Sequence, residues 1–220
     1  MEVSVSLDPS AGKDLEKYVE FLNTVEGVAL HVDVMDGKFV ERAAVTMEEY
    51  SFAIKETSHQ IDLHLMIDDV QNNINRYIAK AVWGSLRSVT FHVESFSGDK
   101  AKEDILALLA KIKTMDIQAG IAIDLPTAVK DIDKDILQAC DVVLVMSVKC
   151  GASGRPFDEV ALEKVKGLKM NYPNFRVIID GGVQSGNLEK VKKAGVDTAV
   201  VGSFIYGAKD RAATIKSLVK

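Results

Sequence analysis

Residues 31–37, HVDVMDG, place a histidine and two aspartates in an otherwise apolar run that begins GVAL. Val32 and Val34 alternate with His31 and Asp33. Side chains on a strand repeat every second residue, so His31, Asp33 and Met35 share one face. A buried carboxylate without a counter-charge is costly, so that face calls for a cation, a partner or a ligand. His64 in DLHLM and Asp180 in RVIID sit in similar β-rich settings. Two imidazoles and two carboxylates from three strands can converge on one divalent cation. Mixed nitrogen and oxygen donors suit Zn²⁺, Fe²⁺, Mn²⁺ or Co²⁺ better than Ca²⁺. Taken singly, each is more simply a hydrogen-bonded core histidine or a capping aspartate; together at strand ends they favour the metal reading.

The elements that must position these residues are visible as a regular alternation. Strand candidates are EVSVSL, VALHVDV, QIDLHLM, RSVTFHV, QAGIAI, DVVLVM, FRVIID and DTAVVG. Between them run amphipathic stretches: KDLEKYVEFLNTV, MEEYSFAIKET, VQNNINRYIAKAV, KEDILALLAKIKTM, VKDIDKDILQA, VALEKVKGLKMNY, NLEKVKKAG and KDRAATIKSLVK. Near-continuous Val/Ile/Leu strands alternating with helices indicate a parallel sheet covered by helices. Eight such units in 220 residues favour an α/β chain folded as a single (β/α)₈ TIM barrel, one domain over 1–220, rather than an open doubly wound sheet. Active sites of such barrels lie at the C-terminal ends of the strands. His31 and Asp33 are expected to end strand 2, His64 strand 3 and Asp180 strand 7, with Gly202 and Ser203 following strand 8.

Hydrophobic content of 47% supports a substantial core, and the net charge of −5 argues against nucleic acid or an anionic membrane as main partner. Cys140 and Cys150 form no metal-type pattern, and a disulfide framework is not expected; a reducing cytoplasm is the simplest setting. The start, MEVSVSLDPS, has no basic region or cleavage site, and no apolar run reaches the length of a membrane span. No dinucleotide fingerprint follows the first strand.

HVDVMDG, followed by DLHLM, FHVES, VVLVMSV, IIDGGV and VVGSFIYGAKD, resembles the ribulose-phosphate 3-epimerase family in order and spacing over nearly the whole chain. The resemblance implies a phosphate-binding barrel of the ribulose-phosphate-binding type with one catalytic divalent metal (Zn, Fe, Mn or Co), commonly a homo-oligomer. It puts His31, Asp33, His64 and Asp180 at the metal-ligand positions, with Asp33 and Asp180 also the two acid/base residues. Epimerising C3 of a ketose phosphate removes a proton beside the C2 carbonyl and returns one to the opposite face. Two carboxylates flanking a planar enediolate suit that task, with a metal to stabilise the developing charge. The expected substrate is D-ribulose 5-phosphate, giving D-xylulose 5-phosphate; alternatives are a hexulose phosphate such as allulose 6-phosphate, or a non-catalytic sugar-phosphate binder. An aldolase or decarboxylase on a related barrel fits this residue set less well.

In the family, methionines like Met35, Met66 and Met146 cover the reacting carbons; core filling by adaptable side chains is the competing reading. His92 reads as supporting a ligand or lining the pocket, Asp36 as a turn or supporting residue, and His59 as a surface residue. Gly181, Gly182, Gly202 and Ser203, with Gly151 and Gly154, are expected to hold the phosphate through the loops after strands 6, 7 and 8. Tight turns are the plainer use of such glycines. The loops depart from the family pattern. An NPGFGGQ-like stretch is replaced by KCGASGR at 149–155, the histidine after VMDG by Lys38, and Val-Pro-Asn by Val40-Glu41-Arg42. The Ser-Ala-Asp-like end of the first strand does not align cleanly, and Ser10 is the candidate substitute for its serine. Lys38, Lys149 and Arg155 either strengthen phosphate binding or are exposed and incidental.

Overall fold

In the computed structural model, which describes residues 1–80, 84–152 and 154–219, the β-branched runs form nine strands. These are β1 (Glu2–Ser6), β2 (Val28–Asp36), β3 (Ala43–Ala44), β4 (Ile61–Met66), β5 (Leu86–His92), β6 (Gln118–Ile123), β7 (Val142–Met146), β8 (Arg176–Asp180) and β9 (Thr198–Val201). All but β3 are parallel, in the order β1-β9-β8-β7-β6-β5-β4-β2, and β1 pairs with β2 to close the sheet. The expected eight-stranded barrel is therefore present.

Helices cover the barrel: α1 (Leu15–Leu22), α2 (Met47–Glu56), α3 (Val70–Ile78), α4 (Ala101–Lys113), α5 (Lys134–Gln138), α6 (Val160–Asn171), α7 (Leu188–Lys193), α8 (Ser203–Tyr206) and α9 (Arg211–Leu218). Local chemistry sets their starts. Thr46 and Glu49 form a reciprocal capping box on α2, and the Asp133 and Asp210 side chains cap α5 and α9. Residues 81–82, at the end of the helix expected over 70–82, lie outside the described residues, as does Ser153 of the 149–155 loop.

Alternation along the strands divides the interior into two parts. Val143, Val145, Val177, Ile179 and Val201 face the helices in the main core, whereas Val142, Leu144, Met146, Ile178 and Val200 pack inside the barrel. Polar residues share that inner face. At the N-terminal end, Asp62 is 1% exposed and binds Arg87 and Arg176. Nearer the C-terminal end stand His31, Asp33, His64 and Asp180.

One expectation needs correction. His31 and Asp33 do not end strand 2, because Met35 and Asp36 pair with Ala44 and Ala43 and carry β2 two residues past the expected Val34. The extension forms a short antiparallel flap at the barrel mouth. Register still levels the key residues: Asp33 lies opposite His64, and Met146 opposite Asp180.

Candidate active site

Strand register places one donor atom from each of His31, Asp33, His64 and Asp180 within 4.8 Å of all the others. His64 Nδ1 is 3.0 Å from Asp33 Oδ1 and 3.7 Å from Asp180 Oδ2. His31 Nε2 lies 3.2 Å from Asp33 Oδ1. That contact is misaligned for hydrogen bonding, and among the described residues both His31 ring nitrogens lack a hydrogen-bond partner despite complete burial. Orphaned buried nitrogens are costly. An unsatisfied imidazole beside two carboxylates is what a divalent-cation site of nitrogen and oxygen donors requires, so the residues fit the group.

The electrostatics agree. Burial pushes Asp33 up, but the His31 and His64 rings outweigh it and hold its carboxyl well below the usual range. Burial and then the charge of Asp33 raise Asp180 to about 7. Burial would lower His31, yet Asp33 overrides it and takes the ring to about 9, while burial carries His64 down to about 4. The cluster thus holds a proton on His31 and, up to pH about 7, another on Asp180. One divalent cation replaces these two protons with no change in net charge.

Ser6 Oγ donates to Asp33 Oδ2 at 2.9 Å, fixing the carboxylate from the neighbouring strand. The expected serine was Ser10, but its hydroxyl is buried and donates to the Leu7 carbonyl at 2.7 Å. Ser6 takes the position because β1 closes the barrel against β2, with Ser6 opposite His31. The period-two alternation of Ser4 and Ser6 was the signal available in the sequence.

An inner cavity of about 60 Å³ opens beside the cluster, lined by Asp33 and Asp180, by Met35, Met66 and Met146, and by the glycine-rich loops. Gly151, Gly154, Gly181, Gly182, Gly202 and Ser203 all reach its wall. Gly182 has φ +60°, and a Cβ there would stand 2.7 Å from Phe157 N and 2.8 Å from Arg155 O. Its turn and its close packing against the 149–157 segment both demand glycine. The three methionines pack in barrel-interior clusters and line the cavity.

Other expectations fall further from the cavity. His92 does not line it; the ring is fully buried behind His64, its Nε2 3.0 Å from His64 Nε2. Asp36 is a turn residue, accepting from the backbone of Lys38, Phe39 and Asp68. His59 is half-buried rather than superficial, bonded to the Leu22 carbonyl at 2.8 Å. Lys149 and Arg155 are exposed and line a wider outer cleft of about 1380 Å³, which continues outward from the cavity. Arg42, in the flap, binds the Asp8 carboxylate in that cleft through both terminal nitrogens, a pairing the sequence did not announce.

Comparison with known proteins agrees with this geometry. Residues 2–206 match the Ribulose-phosphate 3 epimerase family. The ribulose-phosphate 3-epimerase of Aquifex aeolicus (strain VF5) is 37% identical over 202 residues, covering 89% of this chain and 86% of that protein. That of Helicobacter pylori (strain ATCC 700392 / 26695) is 31% identical over 224 residues, covering 99% and 96%. Among solved structures, the 3-hexulose-6-phosphate synthase of Salmonella typhimurium superposes with a TM-score of 0.72 at 18% identity, over 100% of this chain and 97% of that one, and shares the fold. Among the described residues, no helix is long and apolar enough to cross a membrane. The chain belongs to the ribulose-phosphate 3-epimerase family and is an enzyme of the isomerase class.

Proposed function

We propose that this enzyme epimerises D-ribulose 5-phosphate and D-xylulose 5-phosphate at C3, with Asp33 and Asp180 as the two proton-transfer groups and one barrel domain as the catalytic unit. The observation that carries the reading is the pairing of these two carboxyls, with contrasting proton affinities, in one buried cluster with His31 and His64. One of the two carboxylates is suited to accept the C3 proton, and the other, once protonated, to deliver one to the opposite face. The reverse reaction exchanges the two roles. Ser6 orients Asp33, and Met35, Met66 and Met146 keep bulk water from the reacting carbon. His31, Asp33, His64 and Asp180 would hold a Zn²⁺, Fe²⁺, Mn²⁺ or Co²⁺ ion, which supplies Lewis-acid charge beside the developing oxyanion. Gly154, Gly181, Gly182, Gly202 and Ser203 would receive the phosphate, with Gly151 at the cavity's outer edge. Two unpaired cysteines suit a reducing cytoplasm, and a rice relative is named a cytoplasmic isoform.

The alternative substrate is a hexulose phosphate such as allulose 6-phosphate, longer by one carbon. Proton NMR in D₂O with metal-reconstituted protein tests both. Loss of the ribulose 5-phosphate C3 proton with growth of xylulose 5-phosphate is expected. Asp33→Asn and Asp180→Asn should each slow turnover by roughly 10²–10⁴-fold. Near-wild-type turnover in either variant would refute the two-carboxylate mechanism.

A further inference from the structure

The hydrogen bonding around the cluster continues on the far side of His64. Its Nε2 lies 3.0 Å from His92 Nε2, and His92 Nδ1 lies 2.9 Å from Glu94 Oε2. β5 ends at His92, and a 3₁₀ turn over Val93–Ser95 folds Glu94 back toward it, fastened by Ser95 Oγ donating to the His92 carbonyl at 2.7 Å. The other Glu94 oxygen, Oε1, accepts from the Asp124 backbone N–H at 2.8 Å, and Thr127 also bonds the carboxylate.

Donor and acceptor capacities order the protons of this chain once a cation takes the His64 Nδ1 lone pair. Burial pushes Glu94 up, but its bonds to His92, Thr127 and Asp124 outweigh that and leave it at about 2. A carboxylate only accepts, so the proton in its contact with His92 sits on His92 Nδ1. With its proton on Nδ1, His92 presents a bare Nε2 that can accept from His64 Nε2. A His64 protonated at Nε2 turns its Nδ1 lone pair toward Asp33 and Asp180, where a cation rather than a proton would mediate the contact. Turning the His64 ring over would break its bond to His92 and set a carbon against Asp33.

We propose that Glu94, acting through His92, is a positioning residue that holds the His64 Nδ1 lone pair turned into the cluster, ready for a divalent cation. The proposal rests on the metal reading given above. Neither Glu94 nor His92 lines the inner cavity, so their contribution is to the affinity and geometry of the site rather than to contact with substrate.

Chelator competition with Zn²⁺ and Mn²⁺ on the wild type and Glu94→Gln tests it. A carboxamide accepts through one oxygen only, so it cannot serve both His92 and Asp124, and metal affinity should fall by roughly ten- to a hundredfold. Thr127→Val removes a neighbouring bond to Glu94 but leaves the relay, and should bind metal as the wild type does. Proton–nitrogen correlation spectra of the Zn²⁺-loaded wild type should show His64 protonated at Nε2 and His92 at Nδ1. The opposite tautomers overturn the proposal, even if Glu94→Gln does not fold. Unchanged affinity in Glu94→Gln overturns it while leaving the metal reading intact, and an equal loss in Thr127→Val shows loop disruption instead of a relay. If the wild type itself binds neither cation, the metal reading fails, and this inference with it.

Discussion

Asp62, at the N-terminal end of the barrel, gives a sharp test of how the interior is held together. Its carboxylate is 1% exposed and accepts from Arg87 Nε at 3.1 Å, from Arg176 Nη1 at 3.1 Å and from Ser88 Oγ. Asp62→Ala strands the two guanidiniums unequally. Arg87 keeps Glu2 at 2.8 Å, but Arg176, its side chain 17% exposed, loses its carboxylate altogether. Breaking a buried pair from one side costs about 3–5 kcal/mol, and the surviving Glu2 contact places this case at the lower end, about 3 kcal/mol. At roughly 2–4 °C per kcal/mol for a chain of this size, Tm should fall by about 6–12 °C. The urea midpoint should drop with the slope m unchanged.

The loss should also depend on pH. Burial pushes Asp62 up, but hydrogen bonds from Arg87 and Arg176 outweigh it and hold the folded pKa below the unfolded value. Its contribution is therefore fully present above about pH 4 and is lost as pH falls toward the folded value. The stability gap between wild type and variant should narrow in acid. A Tm change under about 2 °C, or a gap that stays constant between pH 6 and pH 3, would show that the Asp62 network does not brace the barrel.

Two further perturbations address the site. Ser6→Ala removes a hydrogen bond to an ionised carboxylate, worth about 1.5–3 kcal/mol, and steady-state kinetics should show kcat/KM reduced by roughly 10- to 100-fold; an unchanged value would deny Ser6 its role in holding Asp33. Metal affinity should climb with pH, because a cation must displace protons from groups whose folded pKa values are raised: steeply up to about 7, where Asp180 deprotonates, then less steeply to about 9, where His31 does. Calorimetric titration from pH 6 to 9 measures the slope, and a flat profile would exclude His31 and Asp180 as ligands.

Short-range periodicity in the sequence determined a good deal of this protein. The alternation of HVDVMDG placed His31, Asp33 and Met35 on one face, and eight β-rich runs separated by amphipathic stretches sufficed for the barrel. The four residues of the cluster were legible for the same reason: polar side chains stand out against strands that are otherwise Val, Ile and Leu. What it could not convey was which distant faces meet. Ser6 rather than Ser10 reaches Asp33 because β1 closes on β2, and the flap carries Arg42 back to Asp8 across 34 positions. Arg176 finds Asp62 across 114 positions, and a single 3₁₀ turn decides that Glu94 points back at His92 rather than into solvent. Residue period fixes the face of an element, which is local. Strand register, barrel closure and loop path fix who stands opposite, and those are settled by packing the whole interior at once.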